Sequence, residues 1–204
     1  MKKLLFTLII SISCTMQSQT EFQIKQADYD MLKTQLEAIR IEDQTLRQLL
    51  PEAEAKFGVD AGELKYIWEL IHTQDKINEK KVLQIIDTYG WLGKNKIGEM
   101  ANQTLWLVIQ HADINIQEKY LPKLEASVEK NESDGWHLAF LKDRILMRKG
   151  EKQYYGTQAK KDSSSGITYI YPIAEAKTVN RRRKELGLIP IEEYAKTNNY
   201  VLHK

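Results

Sequence analysis

The feature that most constrains the fold is an apolar side chain at every third or fourth position, repeated in one segment after another. The residues of the first such stripe are Tyr29, Leu32, Leu36, Ile39, Leu46 and Leu50. This spacing places apolar side chains on one face of a helix. Each such face must be buried against another helix. The sequence therefore predicts a mainly α fold, one compact multi-helix domain with short connections between antiparallel helices.

Capping residues and helix breakers divide the chain into about seven or eight helices. Pro51 should end the first helix, because proline lacks a backbone donor and crowds the preceding turn. The predicted helices cover about residues 28–50, 61–71, 75–89, 97–112, 116–130, 135–148, 174–186 and 191–197. Residues 153–158 and 167–171 are rich in strand formers and flank a polar loop, which predicts a small β-hairpin in the C-terminal third.

The N-terminus is typical of a secretory signal, with two lysines before a short apolar run that ends at Cys14. The run is too short to span a bilayer, and a buried N-terminal helix is the alternative interpretation. Cleavage near Ser18 and a lipoprotein-type cut that leaves a lipid on Cys14 both remain open. The sequence thus predicts a signal peptide (1–18), a flexible leader (19–27) and a single helical domain (28–204). The protein should be exported, either periplasmic or secreted, or held at the outer membrane as a lipoprotein.

The composition excludes several classes of function. The only cysteine lies in the predicted signal, so a disulfide framework, a cysteine-based zinc site and a catalytic thiol are all excluded. Without the two signal lysines the chain carries 28 basic and 28 acidic residues, which does not suit nonspecific binding of nucleic acid. Residues 142–204 carry 14 basic and 7 acidic residues. This basic part either faces the acidic part within the fold or meets an anion.

Three polar residues, Asp43, His111 and Asp143, lie where the helical spacing requires an apolar side chain. A buried carboxylate needs a partner or takes up a proton. With the neighbouring Arg144, the three residues are sufficient for acid–base chemistry on a polar or anionic substrate. They are equally sufficient for a rigid buried network. Only the distances between them can separate these two hypotheses.

Motifs for metals and nucleotides are absent from the sequence. His72 lies three residues before Asp75, and His111 lies two residues before Asp113. Neither pair has the spacing of a known metal site. There is no Gly-x-Ser-x-Gly, no phosphate-binding loop and no dinucleotide fingerprint. We therefore predict no metal and no cofactor. The run Arg181–Arg183 is either a solvated helix face or an anion contact.

Several short motifs follow one another in a distinctive order. They are Asp43-Gln44, Tyr89-Gly90-Trp91, Gln110-His111-Ala112-Asp113, Asp143-Arg144, Gln153, Tyr155-Gly156-Thr157-Gln158, Arg183, Gly187-Leu188 and Tyr194. This set resembles a bacterial domain family of unknown function over about residues 30–195. Leu92 stands where that family has proline. Leucine restricts the backbone less than proline does, so the turn is less rigid here. The resemblance implies a shared polar set and no particular activity; the set is His111, Asp143, Arg144, Tyr155 and Gln158.

The sequence favours a cell-envelope binding or interaction domain without catalysis. The alternative is a metal-independent hydrolase or related acid–base enzyme, with His111 as general base or acid and Asp143 or Asp43 orienting it. A small polar or anionic ligand is the expected partner. The candidate binding residues are Gln44, Gln110, Arg144, Gln153, Tyr155, Gln158 and Arg183. We expect no nucleic-acid partner, and membrane contact only through the signal or a lipid on Cys14.

Overall fold

The computed structural model describes residues 25–202, which are mainly helical. The predicted signal peptide with Cys14 and residues 19–24 of the predicted leader lie outside this part of the chain. The helices are α1 (Gln26–Phe57), α2 (Gly62–Tyr89), α3 (Lys94–Ile97), α4 (Glu99–His111), α5 (Ile114–Glu129), α6 (Gly135–Arg148), α7 (Val179–Glu185) and α8 (Ile191–Thr197). Two short strands, β1 (Ala159–Lys161) and β2 (Thr168–Ile170), pair antiparallel. The predicted fold class is confirmed.

Helix α1 does not end before Pro51, as the sequence predicted, but continues to Phe57. A proline inside a helix costs about 3 kcal/mol, because it removes a hydrogen bond and crowds the turn before it. Packing holds the turn beyond the proline, where Ala53 is buried. Gly58 then ends the helix, and its backbone N–H donates to the carbonyl of Glu54.

The two helices predicted within residues 61–89 are one continuous helix, α2. The predicted break lay between residues 71 and 75, in a polar stretch that contains Thr73. The Thr73 hydroxyl instead donates to the Glu69 carbonyl one turn back and stays within the helix. Asp75 was predicted to start a helix. It lies inside α2, and its carboxylate accepts hydrogen bonds from Arg47 of α1.

Helices α1 and α2 form an antiparallel hairpin. Glu42 pairs with Lys81, whereas Arg47, further along α1, pairs with Asp75, which comes earlier on α2. Two ion pairs show that helices α5 and α6 are also antiparallel. The apolar faces of α1, α2, α4, α5 and α6 enclose the main core. Its most buried members include Leu36, Ile39, Val82, Ile86, Leu105, Ile109, Leu124 and Leu141.

Helix α4 packs against α1, α2, α5 and α6 and is the central element of this bundle. It was predicted over residues 97–112 but begins at Glu99, because Gly98 separates it from the one-turn helix α3. The φ of Gly98 is 80°, a value that glycine adopts without strain. The side chains from Thr104 to Gln110 are all buried. Helix α4 therefore runs through the interior and ends with His111 near α1.

The predicted first strand, residues 153–158, is a loop, and β1 begins only after it. The backbone N–H groups of Tyr154, Tyr155 and Thr157 donate to the carboxylate of Asp143 on α6 instead of to a neighbouring strand. Strand β2 lies within the predicted second strand, 167–171. The prediction failed because strand propensity describes side chains, and a buried carboxylate took the backbone donors.

The C-terminal part packs as a second, smaller core beneath the hairpin. A short 3₁₀ turn (Ala176–Thr178) and α7 occupy the region predicted as one helix over 174–186, and α8 matches its predicted range. The buried members of this core are Ile170, Val179, Ile191 and Ala195. Among the helices between residues 25 and 202, none combines the length and apolarity needed to cross a membrane.

Candidate active site at the end of helix α4

Two of the three polar stripe residues meet at the end of α4. Asp43 is only 2% exposed, and its Oδ2 lies 3.0 Å from Nδ1 of His111. Because a carboxylate can only accept, the proton of the neutral imidazole lies on Nδ1. The His111 side chain is 19% exposed, and within residues 25–202 its Nε2 has no hydrogen-bond partner. The lone pair on Nε2 is therefore free to accept a proton from outside.

Arg47 ties this pair to α2. Its Nη1 donates to the backbone carbonyl of Asp43 at 2.7 Å and lies 3.3 Å from Asp43 Oδ1. Its Nη2 donates to both carboxylate oxygens of Asp75, at 2.8 and 2.7 Å. The Gln44 amide donates to Asp43 Oδ1 at 2.5 Å. We call these residues, with His111, the Asp43 cluster. It carries one net negative charge when His111 is neutral and none when His111 is protonated.

The pKa of the Asp43 carboxyl is set by opposing effects. Burial raises this pKa, but the hydrogen bond and the charge of His111, the charge of Arg47 and the Gln44 hydrogen bond outweigh burial and lower it below the ordinary value. Asp43 is therefore ionised at neutral pH. An ionised carboxylate at this position holds one imidazole tautomer and stabilises the imidazolium that forms when Nε2 takes up a proton.

The same residues offer ligand atoms to a cation. One oxygen each of Asp43 and Asp75 and one ring nitrogen of His111 lie within 4.8 Å of one another. Carboxylates and imidazole are suitable ligands for divalent metals. However, Arg47 donates to the Asp75 carboxylate and forms an ion pair with that of Asp43, and its charge opposes a second cation there. The donor set fits an ion-pair network better than a metal, and the absence of a metal stays a prediction.

Two arginines of α6 lie toward the end of α4. Arg148 Nη1 donates at 2.6 Å to the carbonyl of Ala112, the residue after His111. Arg144 is one turn earlier on the same face of α6. It has no hydrogen bond or ion pair within residues 25–202, and its Nε is fully buried. Burial, together with the charge of Arg148, lowers the pKa of Arg144 to about 10, so it remains cationic at neutral pH. A partly buried cation without a counterion favours an anion beside it.

Asp143 does not join His111. Its carboxylate accepts the backbone N–H groups of Tyr154, Tyr155 and Thr157 at 2.6, 2.9 and 2.9 Å, and the Thr157 hydroxyl at 2.9 Å. Burial raises the pKa of this carboxyl, and the hydrogen bonds from the loop oppose that rise. Four donors already occupy the two oxygens. Asp143 is therefore not the group that orients His111, in contrast to one form of the sequence hypothesis.

The other candidate binding residues near Asp143 turn their polar groups inward. The Gln153 amide donates to the backbone carbonyl of Gln158 and accepts its N–H. Arg183 is fully buried and donates to the carbonyls of Tyr155 and Ile189. We call this group the Asp143 hub; its members are Asp143, Gln153, Tyr155, Thr157, Gln158 and Arg183. Its hydrogen bonds hold a loop in place, and Nη2 of Arg183 is buried without a hydrogen-bond partner in the described part of the chain.

Gln110 connects the hub to the end of α4. Its amide and that of Gln158 both donate to the carbonyl of Phe140, each at 3.4 Å. The Gln110 backbone carbonyl accepts a hydrogen bond from Gln117 at 2.8 Å. The candidate site residues thus separate into a partly open Asp43 cluster and a closed Asp143 hub, joined through α6.

Sequence reasoning missed two residues of interest. His137 on α6 is 1% exposed, and its ring stacks on Trp106 with centroids 4.9 Å apart. It lies one turn before the buried Leu141, so the spacing that picks out Asp43 could have found it. Asp75 gives no such signal, because its role depends on how α1 and α2 pair.

Comparison with known proteins gives one match. The model of the family of unknown function DUF6624 covers residues 30–202, which include the Asp43 cluster and the Asp143 hub. Searches of the curated proteins and of the solved structures found no match. The match extends over most of the chain, in agreement with the resemblance noted for its motifs. The chain therefore belongs to DUF6624, a family of unknown function.

Proposed function

We propose that the protein is exported to the cell envelope and performs metal-independent acid–base chemistry there on a polar, anionic substrate. The observation that carries the proposal is the 3.0 Å contact between Asp43 and His111, which leaves Nε2 of a partly exposed imidazole free. A histidine fixed by a carboxylate through one nitrogen is a suitable general base through the other. Export rests on the basic and apolar N-terminal segment.

In this proposal His111 Nε2 takes the proton from a water or a substrate hydroxyl as that oxygen attacks. The imidazolium formed is stabilised by ionised Asp43, and the proton is then given to the leaving group. Arg47 holds Asp43 in its ionised form and in position. The charge of the Asp43 cluster passes from minus one to zero during this step.

Arg144 supports an anionic substrate. It is a partly buried cation with no partner in the described part of the chain, on the α6 face next to Arg148. A substrate carboxylate or phosphate would supply the missing counterion, and the guanidinium fork suits both groups. Replacement by glutamine removes the charge with little change in length. We expect R144Q to raise KM more than it lowers kcat.

The test compares hydrolysis of p-nitrophenyl acetate and bis(p-nitrophenyl) phosphate by wild type, H111Q and H72Q. His72 is exposed on α2, which makes H72Q a matched control. Loss of a general base should lower kcat/KM by about 10²–10⁴-fold in H111Q and leave H72Q unchanged. Equal rates in the two variants, with both folded, would remove His111 from the chemistry.

The non-catalytic binding domain favoured by the sequence is the second candidate, and the unpartnered Arg144 supports it, since an anion site requires no chemistry. It predicts that wild type hydrolyses neither compound. A screen by thermal shift against anionic cell-wall fragments should then raise the Tm of wild type and of R181Q, in which an exposed arginine is replaced. R144Q should lose that rise. A rise that persists in R144Q would contradict this candidate.

The export part of the proposal has its own test. The full chain is expressed in a Gram-negative host, and the intact mass of the protein from the envelope fraction is measured. Cleavage near Ser18 leaves Gln19 as the first residue, whereas lipoprotein processing leaves a heavier, acylated Cys14. The variant C14S separates these routes, because only lipoprotein processing needs the thiol. An unprocessed chain in the cytoplasm would contradict export.

A further inference from the structure

A second site lies at the opposite end of α4 from His111. A cavity of about 350 Å³ opens there between α1, α4 and the start of α6. Its lining includes Arg40, Glu99, Gln103, Trp136 and His137. The volume lies at the small end of the range for ligand pockets, so it suits a small molecule.

Two residues that line this cavity carry buried nitrogens without partners. They are Arg40, through Nη1, and His137, through both ring nitrogens, none of which has a hydrogen bond within residues 25–202. Nε1 of Trp106, which stacks on His137, is also buried and has no hydrogen bond there. His137 packs between Trp106 and Trp136, with centroids 4.9 and 4.0 Å away. Native proteins leave few buried polar groups unpaired, so a concentration of them beside a cavity points to a ligand.

The nature of these nitrogens indicates which ligand fits. Arg40 can only donate, and the neutral imidazole of His137 adds one donor and one acceptor. Burial lowers the pKa of His137 to about 4, which keeps the ring neutral near pH 7. Two donor nitrogens, one of them charged, against one acceptor favour an acceptor-rich group, such as a carboxylate or a phosphate.

The charges on the cavity wall decide between a carboxylate and a phosphate. Arg40 supplies one positive charge and has no ion pair in the described part of the chain, while Glu99 on the same wall opposes additional negative charge. Asp134, also on the wall, is paired with Lys94. A single cation with a carboxylate on the same wall matches a monoanion better than a phosphate dianion. The indole of Trp136 offers a flat apolar surface to the rest of the ligand.

We infer that this cavity binds a small monoanionic carboxylate with a flat, apolar or aromatic body. Arg40 pairs with the carboxylate, the His137 nitrogens provide additional polar contacts, and Trp136 packs on the body. The inference is separate from the chemistry proposed at His111, since none of these residues belongs to the Asp43 cluster. It adds a ligand site to a chain for which the family gives none.

The test uses benzoate as probe, with benzamide as its neutral counterpart and inorganic phosphate as the dianion. Binding to the full-length protein is followed by calorimetry and by the NMR signals of the Trp106 and Trp136 indole N–H groups. Benzoate should bind saturably and shift both signals. Benzamide and phosphate should bind at least about tenfold more weakly, because each lacks the matching charge.

Two arginine variants locate the site. R40Q should weaken benzoate binding by about tenfold or more, and R181Q should leave it unchanged. H111Q should also bind benzoate as wild type does, which keeps this test independent of the proposed chemistry. The melting temperature of R40Q shows whether the variant is folded. Absence of saturable benzoate binding, equal affinity for benzamide, preference for phosphate, or full binding by folded R40Q would each overturn the inference.

Discussion

Asp43 and Asp143 are both aspartates on an apolar helix stripe, and both are almost completely buried, yet the structure uses them differently. Asp143 accepts from three backbone N–H groups and one hydroxyl, all from a single loop. Asp43 accepts from side chains, and one of these, His111, keeps a second nitrogen that is not engaged. A buried carboxylate that is satisfied by backbone organises a fold. One that is satisfied by an ionisable side chain can also take part in proton transfer.

The largest effect should come from D143N. The amide retains one oxygen, and its NH₂ group faces backbone donors that then lose their acceptor. Each buried donor left unpaired costs about 1–3 kcal/mol, so we expect a loss of about 3 kcal/mol or more in the free energy of unfolding. Urea denaturation measures it. The exposed D60N is the control and should stay within about 0.5 kcal/mol of wild type. A loss below about 1 kcal/mol in D143N would contradict the structural role of the hub.

Measuring the free energy of unfolding as a function of pH extends the comparison to His137, a buried polar group whose ring nitrogens have no hydrogen-bond partner in the described part of the chain. Its pKa is lowered by burial to about 4, from 6.5. Between these values the unfolded chain binds a proton that the folded chain does not, so stability falls as the pH drops from 6.5 toward 4. The difference corresponds to about 3 kcal/mol. In H137F, which keeps a ring but cannot titrate, this part of the slope should vanish. Equal slopes for wild type and H137F would contradict the prediction.

G156A tests the loop of the hub without touching a charge. Gly156 has φ 75°, and an added Cβ would lie 2.7 Å from Ile173 Cδ1 and 2.8 Å from Ile191 Cδ1. Backbone strain and crowding together should cost about 2 kcal/mol in thermal or urea unfolding. G166A is the matched control, because Gly166 also has positive φ (70°) but no atom within 4 Å of the added Cβ. It should cost only about 1 kcal/mol. Equal losses would show that the loop is not tightly packed.

D43N should have the smallest effect on stability. Its amide oxygen still accepts a hydrogen bond, and Arg47 keeps its partner Asp75, so we expect a loss of about 1 kcal/mol. Activity should fall far more than stability, because the imidazolium of His111 loses its counter-charge. Urea denaturation of D43N and D143N side by side compares their free energies of unfolding directly. A larger stability loss in D43N than in D143N would reverse the roles assigned to the two aspartates.

Apolar spacing was sufficient to predict most helices, because burial of one face is a local and periodic property. It failed at Pro51 and near Thr73, where packing between α1 and α2 stabilises helix through residues that disfavour it locally. It failed again at residues 153–158, whose backbone donors are taken by a carboxylate distant in sequence. The conformation of that loop depends on Asp143, and propensity does not include such contacts.

The sequence was sufficient to predict which residues belong to the candidate site, but not which of them contact one another. The spacing test found Asp43, His111 and Asp143, but which aspartate meets the histidine depends on the order in which helices pack. The same test could have found His137. Asp75 and the unpartnered state of Arg144 could not be found in this way, since neither has a local signature in the sequence.

The central claim is that Asp43 fixes the tautomer of His111 and leaves Nε2 free. Long-range ¹H–¹⁵N NMR of the imidazole in wild type and D43N measures this directly at a pH where the ring is neutral. We expect wild-type His111 to carry its proton on Nδ1 and D43N to lose this preference. A wild-type His111 protonated on Nε2, or a tautomer unchanged in D43N, would contradict it.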